Sequence, residues 1–152
     1  MRHVLQEKKR MLPATLNSLT TLSHALRQFL APLQLSEGWI YPLDLALCEA
    51  ASNIILHGYG ENASQTYRVR FHHEGGDIRV TLCDTGTAVP SDKLDARAYR
   101  EQHEDLTLET LSEGGRGWAL IFESVDRVDY QRDGKENRLT LWRALPPELK
   151  GN

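Results

Sequence analysis

The hydrophobic spacing along the chain begins at helical steps, shortens to strand alternation, and returns to helical steps once before the end. Leu16, Leu19, Leu22, Leu26, Phe29 and Leu30 recur every three or four residues, which predicts an amphipathic helix over 13–31. Pro13 suits its first turn, and Pro32 with Ser36-Glu-Gly38 ends it. A second helix is predicted from about Pro42 to His57, with Leu43, Leu47, Ala50 and Ile54 as its apolar stripe and Gly58 as its stop. The period then becomes two. Tyr67, Val69 and Phe71 alternate with Arg68, Arg70 and His72; Ile78, Val80 and Leu82 alternate with Arg79, Thr81 and Cys83. Glu74-Gly-Gly-Asp77 between them reads as a hairpin turn. A polar stretch over 87–114, with a helical piece near 91–99, has the length of a functional lid. Gly117 opens a helix carrying Trp118, Leu120, Ile121, Phe122 and Val125, and strands at 126–132 and 137–143 close around Asp133-Gly134. Residues 2–10 read as a short first strand.

Two hairpins oppose a parallel sheet, which needs a crossover between successive strands. The expected class is α+β: a two-layer sandwich whose mixed, mostly antiparallel sheet carries its helices on one face. At 152 residues the chain reads as one domain over 1–152. Composition adds exclusions. The net charge of −3 supplies no basic field for nucleic acid or an anionic membrane. No apolar run reaches the ~20 residues that span a bilayer, and Met1–Arg10 lacks an apolar signal core, so a cytoplasmic location is expected. Cys48 and Cys83 read as reduced packing residues, and His72-His73 as a hairpin flank.

Three segments carry candidate chemistry. Glu49 and Asn53 stand four residues apart, so a carboxylate and an amide share one helix face, away from the apolar stripe. An amide oxygen can ligate a hard cation and a carboxylate can take a proton; a solvated helix face is the plain alternative. Asp84-Thr-Gly86 follows an apolar strand, where a carboxylate can accept a hydrogen bond from an exocyclic amine such as that of adenine. Gly86 lets the backbone turn tightly and approach a flat ring; an ordinary turn is the alternative. Glu113-Gly-Gly-Arg-Gly117 leads into an apolar helix, an anion site by virtue of free amide N–H groups and the helix dipole, with Arg116 as a fixed cation. A structural helix start accounts for it equally. His57 falls in the last turn of the second helix.

Taken in order, Glu-x-x-x-Asn…His-Gly-Tyr, Asp-x-Gly and Gly-Gly-x-Gly resemble the N, G1 and G2 boxes of the GHKL ATPase superfamily over about residues 12–145. The His57-Gly-Tyr59 ending and the Asn137-Arg-Leu-Thr-Leu141 strand resemble one branch, the anti-sigma-factor serine kinases of partner-switching systems. The resemblance implies the Bergerat ATP-binding fold with ATP and Mg²⁺ as cofactors. It implies that Asn53 ligates Mg²⁺, that Glu49 is the general base, that Asp84 holds adenine N6 with Gly86 beside the ring, and that Gly115 and Gly117 line the triphosphate under a lid at about 87–114. The chain departs from the pattern twice: Ala88 replaces a second glycine, and Glu113 stands where family kinases often carry a lid arginine, with Arg116 as a candidate substitute.

The expected function is a serine-protein kinase and anti-sigma factor. The resemblance implies that it phosphorylates a STAS-domain antagonist on serine and holds a sigma factor or another client, with the exposed face of helix 13–31 as a homodimer or partner surface. The two departures motivate an alternative: a nucleotide-binding module that sequesters a partner with little or no kinase activity. The ATP-binding domain of a sensor histidine kinase is the third reading, and 152 residues leave it no room for a second dimerising helix.

Overall fold

The computed structural model describes residues 6–94 and 116–149. The strands are β1 (Gln6–Pro13), β2 (Thr66–Glu74), β3 (Asp77–Asp84), β4 (Arg127–Asp133) and β5 (Glu136–Ala144), and the α-helices are α1 (Ser18–Leu30), α2 (Glu37–Asn53) and α3 (Arg116–Ser124). The sheet runs β1-β2-β3-β5-β4, and all four pairings are antiparallel. Alternation carries it: Tyr67, Val69, Phe71, Ile78, Val80, Leu82, Leu139 and Leu141 are buried on one face, while Arg68 and Arg70 stay exposed on the other. Leu22, Leu26 and Phe29 of α1, Leu43, Leu47 and Ala50 of α2, and Trp118 and Ile121 of α3 complete the core. Phe29 stacks on Phe71 with ring centroids 5.6 Å apart. The two-layer α+β architecture is as expected from the periods.

Three boundaries differ from the sequence expectation. Pro13 ends β1, paired with Thr66, and does not open a helix. β1 is an edge strand, where a missing N–H is tolerated, and α1 starts only at Ser18, whose hydroxyl donates to Thr15 O at 2.7 Å. Ser36-Glu-Gly38 begins the second helix and does not end the first: Ser36 Oγ accepts from Trp39 N at 3.2 Å as an N-cap. Pro42 therefore lies inside α2. The early start is anchored by Trp39, which is buried and donates its indole N–H to Ala144 O at 2.9 Å. Of the helical piece near 91–99, Ser91–Leu94 forms a 3-10 turn and 95–99 lies outside the described residues. Both hairpin turns are two-residue loops, with Gly75 at φ 68° and Gly134 at φ 64°, conformations that favour glycine.

α2 packs against α1 on one side and α3 on the other. Arg27 clamps the first contact, donating to both Glu37 oxygens at 2.8 Å and to Asp44 at 3.0 Å, while Ser23 donates to the same Asp44 carboxylate at 2.7 Å. After Asn53 the helix widens into a π-turn over Ile54–Gly58, closed by Tyr59 N donating to Ile54 O at 2.9 Å. This places the C-terminal end of α2 against the end of β3, where the candidate residues collect.

Candidate functional site

One cluster forms where α2 meets α3. Glu49 and Asn53 are half-buried, and the backbone of Gly117 presses on them: a methyl group there would fall 2.8 Å from Glu49 Oε2 and 3.8 Å from Asn53 Nδ2. Asn53 Nδ2 is the one buried side-chain nitrogen or oxygen among the described residues with no hydrogen-bond partner. An unpaired buried donor costs about 1–3 kcal/mol, so this amide has hydrogen-bonding capacity to spare for a further group. The first turn of α3 adds helix-terminal N–H groups, which favour an anion. An amide with a hard oxygen at one end and a free donor at the other, a carboxylate, and a glycine helix start fit a cation-bound phosphate group.

A second cluster forms at the end of β3. Asp84 and Asn137 are cross-strand partners at the end of the β3–β5 ladder. Both are buried, and Asn137 Nδ2 donates to Asp84 Oδ1 at 3.0 Å and to Gly86 O at 2.9 Å. Gly86 N also donates to Asp84 Oδ1, at 2.9 Å. Burial pushes the Asp84 carboxyl above its ordinary range; the Asn137 amide, the Gly86 N–H and the Arg132 charge pull it back without cancelling that effect. The turn that follows is stapled at almost every amide. Thr85 N donates to Tyr59 OH at 2.8 Å, Thr87 N to Gly58 O at 2.9 Å, and Val89 N to Tyr130 OH at 3.0 Å. Tyr59 OH itself donates to Thr66 O at 2.8 Å. A loop with its N–H groups so engaged offers little to a phosphate, and what it presents is the Asp84 carboxylate.

The structure thus gathers Glu49, Asn53 and Gly117 at one place and Asp84 and Gly86 at another, joined by the π-turn. Gly86 has a reason beyond turn-making. Its φ is not positive, but a methyl group there would lie 2.5 Å from Gly58 O and 2.6 Å from Gly58 C, so only glycine permits the close approach. Gly115, Glu113 and the segment 95–114 of the expected lid lie outside the described residues, as does the Arg116 side chain. His57 is exposed. Cys48 turns from Glu49 to Asp44, its Sγ 3.5 Å from Oδ1; burial first, then Asp44, pushes its thiol up to about 12, which keeps it protonated. Asn137, Arg132, Tyr59 and Tyr130 were missed as site residues. Asn137 and Arg132 had one faint signal, continuing the inward rows of Leu139 and Leu141 and of Val128 and Tyr130. Among the described residues no three His, Cys, Asp or Glu side chains gather for a metal, and no helix is long and apolar enough to cross a membrane.

Comparison with known proteins gives concordant results. The model of the histidine kinase-like ATPase domain family matches residues 12–143. The serine-protein kinase RsbW of Bacillus subtilis (strain 168) is 31% identical over 94 residues, 60% of this chain and 57% of that protein. RsbW of Oceanobacillus iheyensis is 29% identical over 89 residues, 59% of this chain and 56% of the relative. The aligned stretch thus spans less than two thirds of these relatives. Among solved structures, the RsbU and RsbW domains of a Mycobacterium tuberculosis protein superpose with a TM-score of 0.64 at 19% identity, over 92% of this chain and 32% of that one. A chain of the SiaB–SiaC complex from Pseudomonas aeruginosa superposes with a TM-score of 0.56 at 15% identity, over 91% of this chain and 89% of that one. At such identities these two likenesses speak to the fold.

Proposed function

This chain belongs to the histidine kinase-like ATPase domain family, and from that premise we propose that it is a serine-protein kinase and anti-sigma factor of a partner-switching system, binding ATP with Mg²⁺ in a single domain. The observation that carries the reading is the contact of Gly117 with Glu49 and Asn53, together with the orphaned Asn53 amide. Residues remote from one another in sequence meet there, which supports a triphosphate site.

Asp84 accepts the hydrogen bond of the adenine 6-amino group, and Gly86 keeps the turn flat against Gly58 so that the ring can lie beside it. Asn53 would hold the metal, which would neutralise phosphate charge when bound. Gly117, with Gly115 and Arg116, lines the triphosphate under the 87–114 lid. Glu49 orients the attacking serine hydroxyl and takes its proton; positioning and charge neutralisation dominate this chemistry. The phosphoryl acceptor is a small STAS-domain antagonist. A sigma factor or another client is held by the unoccupied kinase, which acts as a homodimer through the exposed face of α1. The RsbW relatives support the kinase reading.

Ala88 and Glu113 favour a second reading, a nucleotide-binding module that sequesters a partner without efficient transfer. Incubation with γ-labelled ATP, Mg²⁺ and the STAS partner separates the two. The kinase reading expects label on the partner's serine, a rate lowered roughly 100-fold or more in Glu49→Gln with ATP affinity kept, and ATP binding abolished in Asn53→Ala. ATP binding without transfer establishes the module; transfer unchanged in Glu49→Gln removes Glu49 from the chemistry.

A further inference from the structure

Arg132 stands outside every motif in the chain, yet it ends the inward row of β4 directly opposite Asn137. Its Nη1 donates to Asn137 Oδ1 at 2.8 Å and reaches Gly86 O at 3.5 Å. A side-chain amide has a donor end and an acceptor end, nearly identical in shape, and only its neighbours decide which way it faces. On one side of Asn137 are two acceptors, Asp84 Oδ1 and Gly86 O. On the other is a guanidinium, which has donors and no acceptor. The reversed amide would set its oxygen against two oxygens and its N–H₂ against a cation, at a residue that is 1% exposed.

We infer that Arg132 is a positioning residue that sets nucleobase specificity, by fixing the Asn137 amide with both of its hydrogens turned onto Asp84 and Gly86. The inference rests on the nucleotide site proposed above. With the amide so held, the amide and main-chain donors around Asp84 are committed: both Asn137 hydrogens, the Gly86 N–H to Asp84, the Thr87 N–H to Gly58 and the Thr85 N–H to Tyr59. Both bonds to Asp84 fall on Oδ1, which leaves its other oxygen as the group that meets the base. A purine with a 6-amino group finds an acceptor there. A 6-oxo purine meets oxygen against oxygen there. Without Arg132 the buried Asn137 Oδ1 loses its donor, and the hold of the amide on Asp84 and Gly86 loosens.

The test is the ratio of ATP to ITP affinity, two nucleotides that differ in that amino or oxo group, measured by calorimetry on the full chain. Wild type is expected to prefer ATP by on the order of 100-fold. Arg132→Met should shrink the ratio at least fivefold, chiefly through weaker ATP binding. Arg132→Gln keeps a neutral donor for Asn137 Oδ1 and should hold the ratio within twofold of wild type. Arg132→Gln should melt as wild type does, whereas Arg132→Met leaves the buried Asn137 Oδ1 without its donor and should melt lower; a merely structural residue would weaken both nucleotides alike and leave the ratio unmoved. An unchanged ratio in Arg132→Met overturns the inference. Equal collapse in Met and Gln overturns it too, because charge and not amide orientation is then the cause. Wild type that binds neither nucleotide instead refutes the nucleotide site on which the inference stands.

Discussion

Gly86→Ala is the sharpest probe of how the site is built. The added methyl would meet Gly58 O at 2.5 Å, Gly58 C at 2.6 Å and Gly58 Cα at 3.0 Å, all backbone atoms that cannot swing aside. Restoring ordinary contact, about 3.5 Å, means parting the two segments by roughly 1 Å. That stretches the bond from Thr87 N to Gly58 O from 2.9 Å to about 3.9 Å, past hydrogen-bonding length. Overpacking strain of about 1–3 kcal/mol and a lost hydrogen bond of about 1 kcal/mol sum to about 2–4 kcal/mol. In a domain of this size that corresponds to a fall in Tm of about 5–15 °C. Gly58→Ala is the control, since a methyl there would find its nearest atom, Asp84 Oδ1, at 3.7 Å, an ordinary contact; its effect should stay within about 1 kcal/mol. Thermal and urea unfolding of both variants measure the difference. A Gly86→Ala protein that unfolds with the wild type would refute the close approach of the two backbones.

At Gly117 the obstruction is the end of a flexible side chain, Glu49 Oε2 at 2.8 Å from the position of an added methyl. Gly117→Ala should therefore fold as well as wild type or better, helped by helix propensity of up to about 1 kcal/mol, while serine phosphorylation falls at least tenfold; normal transfer rates would show that Glu49 is not held by this contact. Asp84→Asn should separate stability from binding. Its folded pKa is raised, so the carboxyl contributes stability that is fully present below about pH 4 and is lost as pH rises through the folded value. The Asn variant should then melt higher than wild type at pH 7, with the gap closing toward pH 4, and should bind ATP at least tenfold more weakly. A wild type more stable than Asp84→Asn at neutral pH would reverse that sign.

Strand alternation was readable because the sheet buries one face, so alternate residues through the middle of β2, β3 and β5 are apolar, with Asp84 and Asn137 as the polar ends of two of those rows. β1, read at 2–10, was found but ended too early for the complementary reason: the strand continues to Pro13, and 2–5 lie outside the described residues. Its inward positions Lys8 and Arg10 are exposed, and only Leu12 carries the buried pattern. The start of α2 was obscured by Pro42, which pattern reading puts in a first turn, whereas the Ser36 cap and the Trp39 anchor bring the helix in earlier. Glu49 and Asn53 were legible because one helix sets their spacing. Asn137, Tyr59 and Tyr130 were not, because partners of theirs lie 53, 26 and 41 residues away in sequence, and Arg132 was not, because only the β4–β5 register brings it opposite Asn137. No local pattern encodes a contact made across a sheet or between a turn and a loop.

The π-turn is what makes one site of two clusters. Asn53 is the last residue of α2, and five residues later Gly58 receives Thr87 and backs onto Gly86. In a regular α-helix each residue rotates the chain by about 100°. A π-turn adds one residue to the hydrogen-bonded ring, so everything beyond it faces about one residue's rotation away from where a straight helix would aim it. Asn53 is left facing α3 while Gly58 and Tyr59 are swung onto the end of β3. The Asp84–Gly86 cluster and the Glu49–Asn53–Gly117 cluster are therefore set relative to one another by the backbone of a single element. A side-chain change within either cluster can weaken its own contacts, but the spacing between the clusters depends on the register of Ile54–Gly58.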